Sequence, residues 1–336
     1  MSDRQRADSE KVSLAEDLNA PHPRTFDLPG CSVIISHHNY SHVVANALRS
    51  VADQDHSRFQ CIVVDDFSAR AHRTELERIM EALDDRRFCL VKTSRNVGQT
   101  EAVYEALAQC TCEFVAMLDP DDIYAPSFLS SMLKAHLNRV QIAALATCDM
   151  GLYRVGGSQL SNVFSRFARD SEKAAETDRH AANLESHGYS QYYPPWTPGW
   201  LWCATSSLMF RRDALELIRP RKSLGYNQVD AYCAQGAHMF GGTLFVNSVL
   251  AYRGLHASNL MHTPRYFSAY QQRHDRGVAN IAHRAKLDAL DAFFVNDGHR
   301  LFQPERLLKI VQTHFDTETL AGMIDIWAEK AKQTRS

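Results

Sequence analysis

The sequence predicts an α/β protein whose central sheet is mostly parallel and is covered by helices on both faces. Short apolar runs alternate with stretches of helical periodicity in the first half of the chain, and these runs have no alternating polar face. Strands of this kind are typical of parallel sheets buried between helices. Right-handed crossovers between them give a doubly wound arrangement, in which ligands bind beyond the carboxyl ends of the strands.

Strands and helices are predicted in strict alternation between residues 31 and 147. The first strand is a β-branched run, and Ser41 is a plausible N-cap for the helix that follows it. The predicted elements are strand Cys31–Ser36, helix Ser41–Gln54, strand Cys61–Val64, helix Arg73–Leu83, strand Phe88–Val91, helix Val97–Gln109, strand Glu113–Leu118, helix Pro126–Leu137 and strand Ile142–Thr147. Sustained alternation of this length indicates one sheet built from βαβ units.

The patterns are weaker in the second half of the chain. Between about 150 and 200 we expect loops and a partial helix that form a mobile cover. The later predicted elements are strand Ser206–Phe210, helix Asp213–Ile218, helix Asn227–Ala237, strand Thr243–Tyr252 and helical periodicity from Pro264 onward. We therefore predict a flexible lead-in at 1–29, one domain at 30–262 that divides into halves 30–150 and 151–262, and a helical C-terminal extension at 263–336.

Charge and composition argue against several classes of protein. Lys and Arg number 37 and Asp and Glu number 39, so the formal charge is −2. Without a strongly basic face, no nucleic-acid partner is expected. No apolar run approaches the roughly 20 residues that span a bilayer, and the N-terminus lacks the apolar core of a secretory signal. The eight cysteines are expected to be reduced and structural, which indicates a cytoplasmic protein.

Polar side chains follow three of the predicted strands at the point where each strand ends. The segments are Ser36-His-His-Asn39, Asp65-Asp66 and Asp119-Pro-Asp-Asp122. Because the carboxyl ends of parallel strands meet at one edge of a sheet, we expect these groups to share a cleft. This convergence predicts an active site at that edge.

The segment Asp119-Pro-Asp-Asp122 is the strongest single motif. Its three carboxylates would repel one another unless a positive charge lies among them. Mg²⁺ or Mn²⁺, bound by carboxylate and phosphate oxygens, meets that need. The alternative is an acidic turn that caps the helix near Pro126, and for Asp122 the two interpretations are equally balanced.

Other candidate residues support more than one interpretation. Asp66 can accept a hydrogen bond from a base or a ribose, or it can form a turn with Phe67 and Ser68. Arg95 can meet a phosphate and Gly98 can admit a ligand close to the backbone, but both also suit a turn before a helix. Three indole rings can form an acceptor platform for sugars or a hydrophobic wall; they belong to Trp196, Trp200 and Trp202.

Four blocks in succession resemble family 2 glycosyltransferases in their order and spacing. They are Cys31-Ser-Val-Ile-Ile-Ser-His-His-Asn39, Ile62-Val-Val-Asp-Asp-Phe-Ser68, Arg95-Asn-Val-Gly98 and Met117-Leu-Asp-Pro-Asp-Asp-Ile-Tyr124. The resemblance is strong over about 30–150 and looser over 200–260. It implies a GT-A fold, with a Rossmann-like sheet, and an inverting transfer from a nucleotide-diphosphate sugar.

The resemblance also implies roles for individual residues. Ser36, His38 and Asp66 would contact the nucleoside, and Asp121 with Asp119 would bind the metal that bridges the diphosphate. Asp230 falls where the family places its catalytic base, although stabilisation of a helix N-terminus is the alternative. His256 falls where some members have a histidine near the metal or phosphate, although a structural histidine is the alternative. The sequence departs from the family at His38, usually aromatic, and at Tyr104, often Asn.

The prediction is therefore a metal-dependent glycosyltransferase that uses Mn²⁺ or Mg²⁺ and a UDP-sugar in polysaccharide or glycoconjugate biosynthesis. A saccharide or a lipid-linked molecule is the expected acceptor, and the latter would be met at the inner face of the membrane. The amphipathic C-terminal extension is open to three interpretations, which are membrane contact, core packing and a homodimer contact. The alternative functions are a nucleotidyltransferase or sugar-nucleotide pyrophosphorylase, and a catalytically silent sugar-nucleotide-binding scaffold.

Overall fold

The computed structural model describes residues 27–137, 142–155, 157, 159–161, 190–224, 229–256 and 284–333. Nearly all of the predicted lead-in lies outside these residues. The greater part of the predicted mobile cover and the predicted start of helical structure at Pro264 also lie outside them. Every residue that the sequence marks as a candidate for the active site is among the described ones.

As far as residue 137 the chain alternates strands and helices as predicted, except that a short strand, Ile123–Tyr124, directly follows the strand Phe114–Leu118. The strands are β1 (Cys31–His37), β2 (Phe59–Asp65), β3 (Phe88–Lys92), β4 (Phe114–Leu118), β5 (Ile123–Tyr124), β6 (Leu145–Arg154), β7 (Gln159–Ser161), β8 (Ser190–Tyr193), β9 (Leu208–Arg211) and β10 (Thr243–Leu255). The helices are α1 (Val44–Ala52), α2 (Arg70–Leu83), α3 (Gln99–Leu107), α4 (Phe128–Leu137), α5 (Arg212–Leu217), α6 (Val229–Gly241), α7 (Val295–Leu301), α8 (Pro304–His314) and α9 (Thr317–Gln333). A 3₁₀ turn at Thr205–Ser207 precedes β9, and a π-helical turn at Leu290–Phe294 precedes α7.

All ten strands belong to one sheet in the order β3-β2-β1-β4-β9-β6-β10-β5, with β7 on β6 and β8 on β10. The long ladders β3-β2-β1-β4 and β6-β10 are parallel, whereas the antiparallel ladders are short. The predicted mostly parallel sheet is therefore confirmed. The register pairs His37 with Asp65 and Ile35 with Leu118, so β1, β2 and β4 end side by side.

Alternate residues of the central strands enter two separate hydrophobic cores. Val33 and Ile35 of β1 pack with α1, α2 and α4 on one face of the sheet. Ile34 packs with α3, α5, α6 and the C-terminal helices on the other face. Successive side chains of a strand point to opposite faces, so an unbroken apolar strand fills both cores.

Strand β9 comes late in the chain but lies between β4 and β6, antiparallel to both. Residue 150, where the sequence divides the main domain into halves, lies inside β6. Segments from both halves therefore contribute neighbouring strands to one sheet.

Several local predictions need correction. Ser41 does not cap α1, because the cap position is Val43 and the Ser41 hydroxyl instead contacts Nδ1 of His72 at 2.8 Å. The short strands β5, β7 and β8 were not predicted. Strands β5 and β8 obtain their hydrogen bonds from the distant strand β10, and β7 has only three residues, paired with the preceding strand β6. Residues 205–207 form a 3₁₀ turn instead of the start of a strand.

The described part of the C-terminal extension is helical, as predicted. Its Ala289 approaches Gly236 of α6, where an added Cβ would lie 3.5 Å from the alanine side chain. Among the described residues, no helix is long and apolar enough to cross a membrane. All eight cysteines are free thiols.

Candidate active site

Asp65, the last residue of β2, is a buried carboxylate that forms ion-pairing contacts. Its carboxylate lies 2.9 Å from Nδ1 of His37 and accepts weaker contacts from the Ser68 backbone N–H and from Arg73. Burial alone would raise the pKa of Asp65, but the hydrogen bonds from His37 and Ser68 outweigh it and lower the pKa to about 2. Asp65 therefore stabilises the turn after β2 as an anion.

Asp66 fixes the start of α3. Its two carboxylate oxygens accept the backbone N–H groups of Val97 at 2.8 Å and Gly98 at 2.9 Å, and the Thr93 hydroxyl lies 3.2 Å away. Gly98 has a φ of 89°, a left-handed conformation that favours glycine. Asp66 thus shapes the loop around the site, a role that the sequence did not reveal.

The loop after β1 meets the loop before α3 next to Asp66. Nδ1 of His38 donates to the Asp66 carbonyl oxygen at 2.6 Å, and the side-chain amide of Asn96 lies within 3.4 Å of the same imidazole. Arg95 is exposed beside them. These groups form an open polar rim at the predicted nucleoside position.

Gln99 connects this rim to the acidic turn after β4. Its side-chain amide donates to Oδ1 of Asp119 at 3.0 Å and lies 3.4 Å from the Ser36 hydroxyl. Since Asp66 holds Gly98 directly before Gln99, the ends of β1, β2 and β4 join in one hydrogen-bonded network. The predicted convergence of the strand ends is therefore observed.

Asp122 is a structural member of the acidic turn. It is 2% exposed, and its oxygens accept the Ser206 hydroxyl at 2.6 Å and the Gly254 backbone N–H at 2.9 Å. Ser206 also accepts the backbone N–H of Asp119 at 3.0 Å. Capping of the helix near Pro126, one of the two interpretations of Asp122, is not observed; Asp122 instead ties the turn to β10 and to the segment before β9.

Gly254 allows β10 to pass very close to the acidic turn. A Cβ at this position would lie 1.8 Å from the carbonyl oxygen of Asp121, which is far inside van der Waals contact. The same carbonyl oxygen accepts the Tyr153 hydroxyl of β6 at 2.8 Å. The turn is thus held from two neighbouring strands.

The side chain of Asp121 faces His256, the residue directly after β10. Oδ2 of Asp121 and Nε2 of His256 are 3.0 Å apart. Among the described residues, no group of three or more His, Cys, Asp or Glu side chains is arranged to hold a metal ion. A pair of protein donors still suits Mg²⁺ or Mn²⁺, because such ions commonly complete their coordination with phosphate oxygens and water.

Carboxylates from distant parts of the chain influence one another at this edge. Burial, followed by the charges of Asp122, Asp121 and Asp230, raises the pKa of Asp119 well above its usual range. The positive charge of Arg253 on β10 acts against these shifts. Asp230 is the most distant of these three carboxylates along the chain, and its charge is the last of them in order of influence on Asp119.

Asp230 lies in the first turn of α6. Its Oδ1 accepts the backbone N–H of Ala231 at 2.8 Å. Burial raises the pKa of Asp230, whereas the Ala231 hydrogen bond and the charge of Arg253 lower it. The net effect is an upward shift, which makes this carboxylate a better proton acceptor near neutral pH.

The three tryptophans have different environments. Trp202 is 1% exposed and packs against His238, so it belongs to the core and cannot be part of an acceptor platform. Trp196 lies under the ammonium group of Lys309 at 4.2 Å from the ring centroid. Trp200 is 39% exposed, and its ring centroid lies 4.8 Å from that of Trp202.

Sequence reasoning missed four residues of this site. Gln99, Ser206, Arg253 and Gly254 contact or act on the acidic turn, but none carries a local signal of its own. Ser206, Arg253 and Gly254 lie within 200–260, where the resemblance to the family is looser. Their place in that region was the one signal that could have marked them as site residues.

The sequence profile described as "Glycosyl transferase family 2" matches residues 32–216, which is more than half of the chain. The chain belongs to this family. The matched region contains the acidic turn, Asp66 and Ser206, while Asp230 and His256 lie beyond it.

Curated family relatives match parts of the chain. An uncharacterised glycosyltransferase of Nostoc sp. is 26% identical over 68% of this chain and 65% of its own length. TuaG of Bacillus subtilis, a candidate teichuronic acid biosynthesis glycosyltransferase, is 32% identical over 33% of this chain and 43% of its own. WcaA of Escherichia coli, a candidate colanic acid biosynthesis glycosyl transferase, is 29% identical over 31% and 37%. Each match thus spans less than two thirds of the relative.

Solved structures share the fold at low sequence identity. TarS of S. aureus, in complex with UDP, has a TM-score of 0.51 at 15% identity and covers 84% of this chain and 69% of its own. The mannosyltransferase PcManGT of Pyrobaculum calidifontis, in complex with GDP-Man and Mn²⁺, has a TM-score of 0.50 at 15% identity and covers 88% and 83%. The expected GT-A fold is confirmed by these neighbours.

Proposed function

We propose that this protein is an inverting glycosyltransferase that moves a sugar from a nucleotide-diphosphate donor to an acceptor hydroxyl. The observation that carries the proposal is the meeting of the strand ends at the carboxyl edge of the sheet, where Gln99 joins Ser36 to Asp119 and Asp121 faces His256. Ligands of doubly wound sheets bind at this edge. Membership of glycosyl transferase family 2 supports the same reaction class.

The donor would lie along the network that joins Ser36, His38 and Asp66. A uridine diphosphate sugar is the proposed donor, and the UDP complex of TarS supports that choice. The backbone near Gly98 would face the donor, and Arg95 would meet its phosphates from the exposed rim. Asp119, which lies on the other side of Gln99 from Ser36, would also contact the donor.

The proposed metal ion is Mn²⁺ or Mg²⁺. Asp121 and His256 would supply its protein ligands, and Asp119 would lie next to it. A bound divalent cation supplies Lewis-acid stabilisation of the charge that develops on the leaving diphosphate. The Mn²⁺ complex of PcManGT supports this cofactor. Asp122 would contribute indirectly, since it holds the turn in place through Ser206 and Gly254.

Asp230 would act as the general base. Its carboxylate takes the proton of the acceptor hydroxyl while the hydroxyl oxygen forms a bond to the anomeric carbon and the bond to the diphosphate breaks. One displacement of this kind inverts the anomeric configuration. Its raised pKa improves its basicity at neutral pH, and such catalysis is worth typically about 10²- to 10⁴-fold.

The proposed acceptor is a saccharide or a lipid-linked glycan of surface polysaccharide or glycoconjugate assembly. The names of the two bacterial relatives, which refer to teichuronic and colanic acid biosynthesis, support this class. Trp200 offers an exposed ring for stacking on a sugar, and Trp196 lies nearby in the chain. A cytoplasmic location with peripheral membrane contact, and a homodimer, complete the proposal.

The test is a panel of nucleotide sugars, incubated with and without Mn²⁺ and monitored for release of nucleoside diphosphate. Metal-stimulated release from one donor supports the proposal. Release of pyrophosphate instead would indicate a nucleotidyltransferase, and donor binding without turnover would indicate a silent scaffold.

Asp230→Asn tests the base, with Asp213→Asn as a matched control. Asp213 also lies in the first turn of a helix, and its Oδ1 accepts the following backbone N–H at the same 2.8 Å as in Asp230. We expect Asp230→Asn to lose about 10²- to 10⁴-fold in turnover with unchanged donor affinity, and Asp213→Asn to keep its activity. Full activity in Asp230→Asn would overturn the assignment.

A further inference from the structure

His256 contacts two other rings in addition to Asp121. The ring centroids of Tyr40 and His42 each lie 5.8 Å from that of His256, with interplanar angles of 82° and 81°. Tyr40 and His42 are themselves 5.8 Å apart. These three rings, which we call the aromatic triangle, have the spacing of favourable ring pairs; the two pairs that include His256 are edge-on, whereas Tyr40 and His42 are tilted by 32°.

The buried pair of His37 and Asp65 fixes one corner of the aromatic triangle. The backbone N–H of Tyr40 donates to Nε2 of His37 at 3.2 Å, so this nitrogen is the acceptor. Nδ1 of His37 therefore carries the proton and donates it to Asp65 at 2.9 Å. A buried carboxylate at the end of β2 thus sets the position of Tyr40 in the next loop.

His72 of α2 supports the second corner. Its ring centroid lies 6.4 Å from that of His42, and its Nδ1 contacts the Ser41 hydroxyl at 2.8 Å. The ring of His42, an exposed residue, therefore contacts both His72 and His256. Tyr40 and His42, the two residues of the triangle that contact His256, are therefore both held by contacts outside the acidic turn.

We infer that Tyr40 and His42 are positioning residues that hold the His256 imidazole in the orientation in which it and Asp121 bind a divalent cation. The inference rests on the proposed function, which supplies the cation. An imidazole at the end of a strand loses rotational freedom when it binds a metal, and rings packed against it reduce that loss in advance. Partners that orient a metal ligand typically change the affinity for the metal by about 10- to 100-fold.

The experiment measures Mn²⁺ affinity directly, from the electron paramagnetic resonance signal of free Mn²⁺ in the presence of UDP. We expect Tyr40→Ala and His42→Ala to bind Mn²⁺ about tenfold more weakly than the wild type. His42→Phe keeps a ring at the same corner and should retain most of the affinity. His56→Ala is the control, since His56 is a histidine before β2, away from the carboxyl edge, that contacts the Pro29 carbonyl oxygen; it is buried, whereas His42 is exposed.

Asp121→Asn and His256→Ala separate the failure of this inference from the failure of the proposed function. If the wild type binds no Mn²⁺ with UDP, both the metal-dependent proposal and the inference fail. If the wild type binds Mn²⁺ and these two variants do not, unchanged affinity in Tyr40→Ala and His42→Ala overturns the inference alone. An equal loss in His56→Ala or in His42→Phe also overturns it, because packing of the ring would then not be the cause. Thermal unfolding identifies a variant that does not fold, in which case His42→Phe and the remaining alanine variant decide.

Discussion

Replacement of Gly254 by alanine tests whether the acidic turn must lie directly against β10. The new Cβ would be 1.8 Å from the Asp121 carbonyl oxygen and 3.0 Å from the Asp121 carbonyl carbon. The oxygen belongs to the backbone, so it cannot rotate away as a flexible side chain would. The turn and the strand must separate by more than 1 Å before the contact becomes tolerable, a threshold that follows from ordinary carbon–oxygen packing distances, about 3 Å or more.

A shift of this size would disturb two hydrogen bonds that hold the turn around Asp121, the proposed metal ligand. The hydrogen bond from the Gly254 N–H to Asp122 and that from the Tyr153 hydroxyl to Asp121 would both lengthen. A misplacement of about 1 Å at a reacting centre can lower the rate by about 10²-fold, equivalent to about 2.7 kcal/mol in activation free energy. Overpacking should also lower the free energy of unfolding by about 1–3 kcal/mol.

The assay compares nucleotide-sugar turnover, Mn²⁺ affinity and thermal unfolding in Gly254→Ala with the same quantities in Gly322→Ala. An added Cβ at Gly322, in α9, meets nothing within 4 Å, so this control should keep its activity and become slightly more stable. Wild-type turnover and metal affinity in Gly254→Ala would refute the argument that this close approach positions Asp121.

Three further predictions concern pH dependence and the tryptophans. The folded-state pKa of Asp65 is lowered from 3.8 to about 2, so its contribution to stability, about 2 kcal/mol, is complete above about pH 4 and is lost as pH falls toward 2. Urea unfolding at several pH values should therefore show that the loss in unfolding free energy caused by Asp65→Asn becomes smaller as the pH falls from about 4 toward 2. A loss that is the same at every pH would contradict the predicted direction. Burial lowers the pKa of His314 from 6.5 to about 4, so protons favour the unfolded chain and stability falls as pH drops from about 6.5 toward 4. His314→Gln should reduce that fall in the same measurement, and an unchanged pH slope would be contrary to expectation. Trp202→Ala should cost about 3–5 kcal/mol in the free energy of unfolding because its ring is buried, whereas Trp200→Ala should leave stability within about 0.5 kcal/mol and raise KM for the acceptor. The reverse pattern in chemical denaturation and kinetics would exchange the roles of the two rings.

The sequence predicted those parts of the fold that depend on local patterns. The apolar runs of β1, β2 and β4 and the acidic groups after them required no knowledge of distant partners, because strand periodicity and the parallel-sheet rule place them together. The same reasoning brought Asp119 and Asp121 to the edge where they are found.

The remaining features depend on contacts between distant residues. Asp122 resembles a helix cap in its own segment, but its partners Ser206 and Gly254 lie 84 and 132 residues away along the chain. Gln99 has the appearance of an ordinary polar residue at a helix start until its contact with Asp119 is known. Trp200 and Trp202 are equally apolar in the sequence, and only the packing of α6 and the C-terminal helices separates the buried ring from the exposed one.

The insertion of β9 between β4 and β6 has a consequence for protein engineering. Strand β9 (Leu208–Arg211) comes well after residue 150 in the sequence, yet its hydrogen bonds join β4 to β6 in the middle of the sheet. A chimera that exchanges everything after residue 150 with a relative would replace this central strand and disrupt both of its ladders, and it would also cut β6 itself and replace its partner β10. Exchange of surface segments, such as the loop that carries Trp200, leaves both ladders intact. Recombination for a new acceptor should therefore be attempted by grafting loops onto the complete sheet.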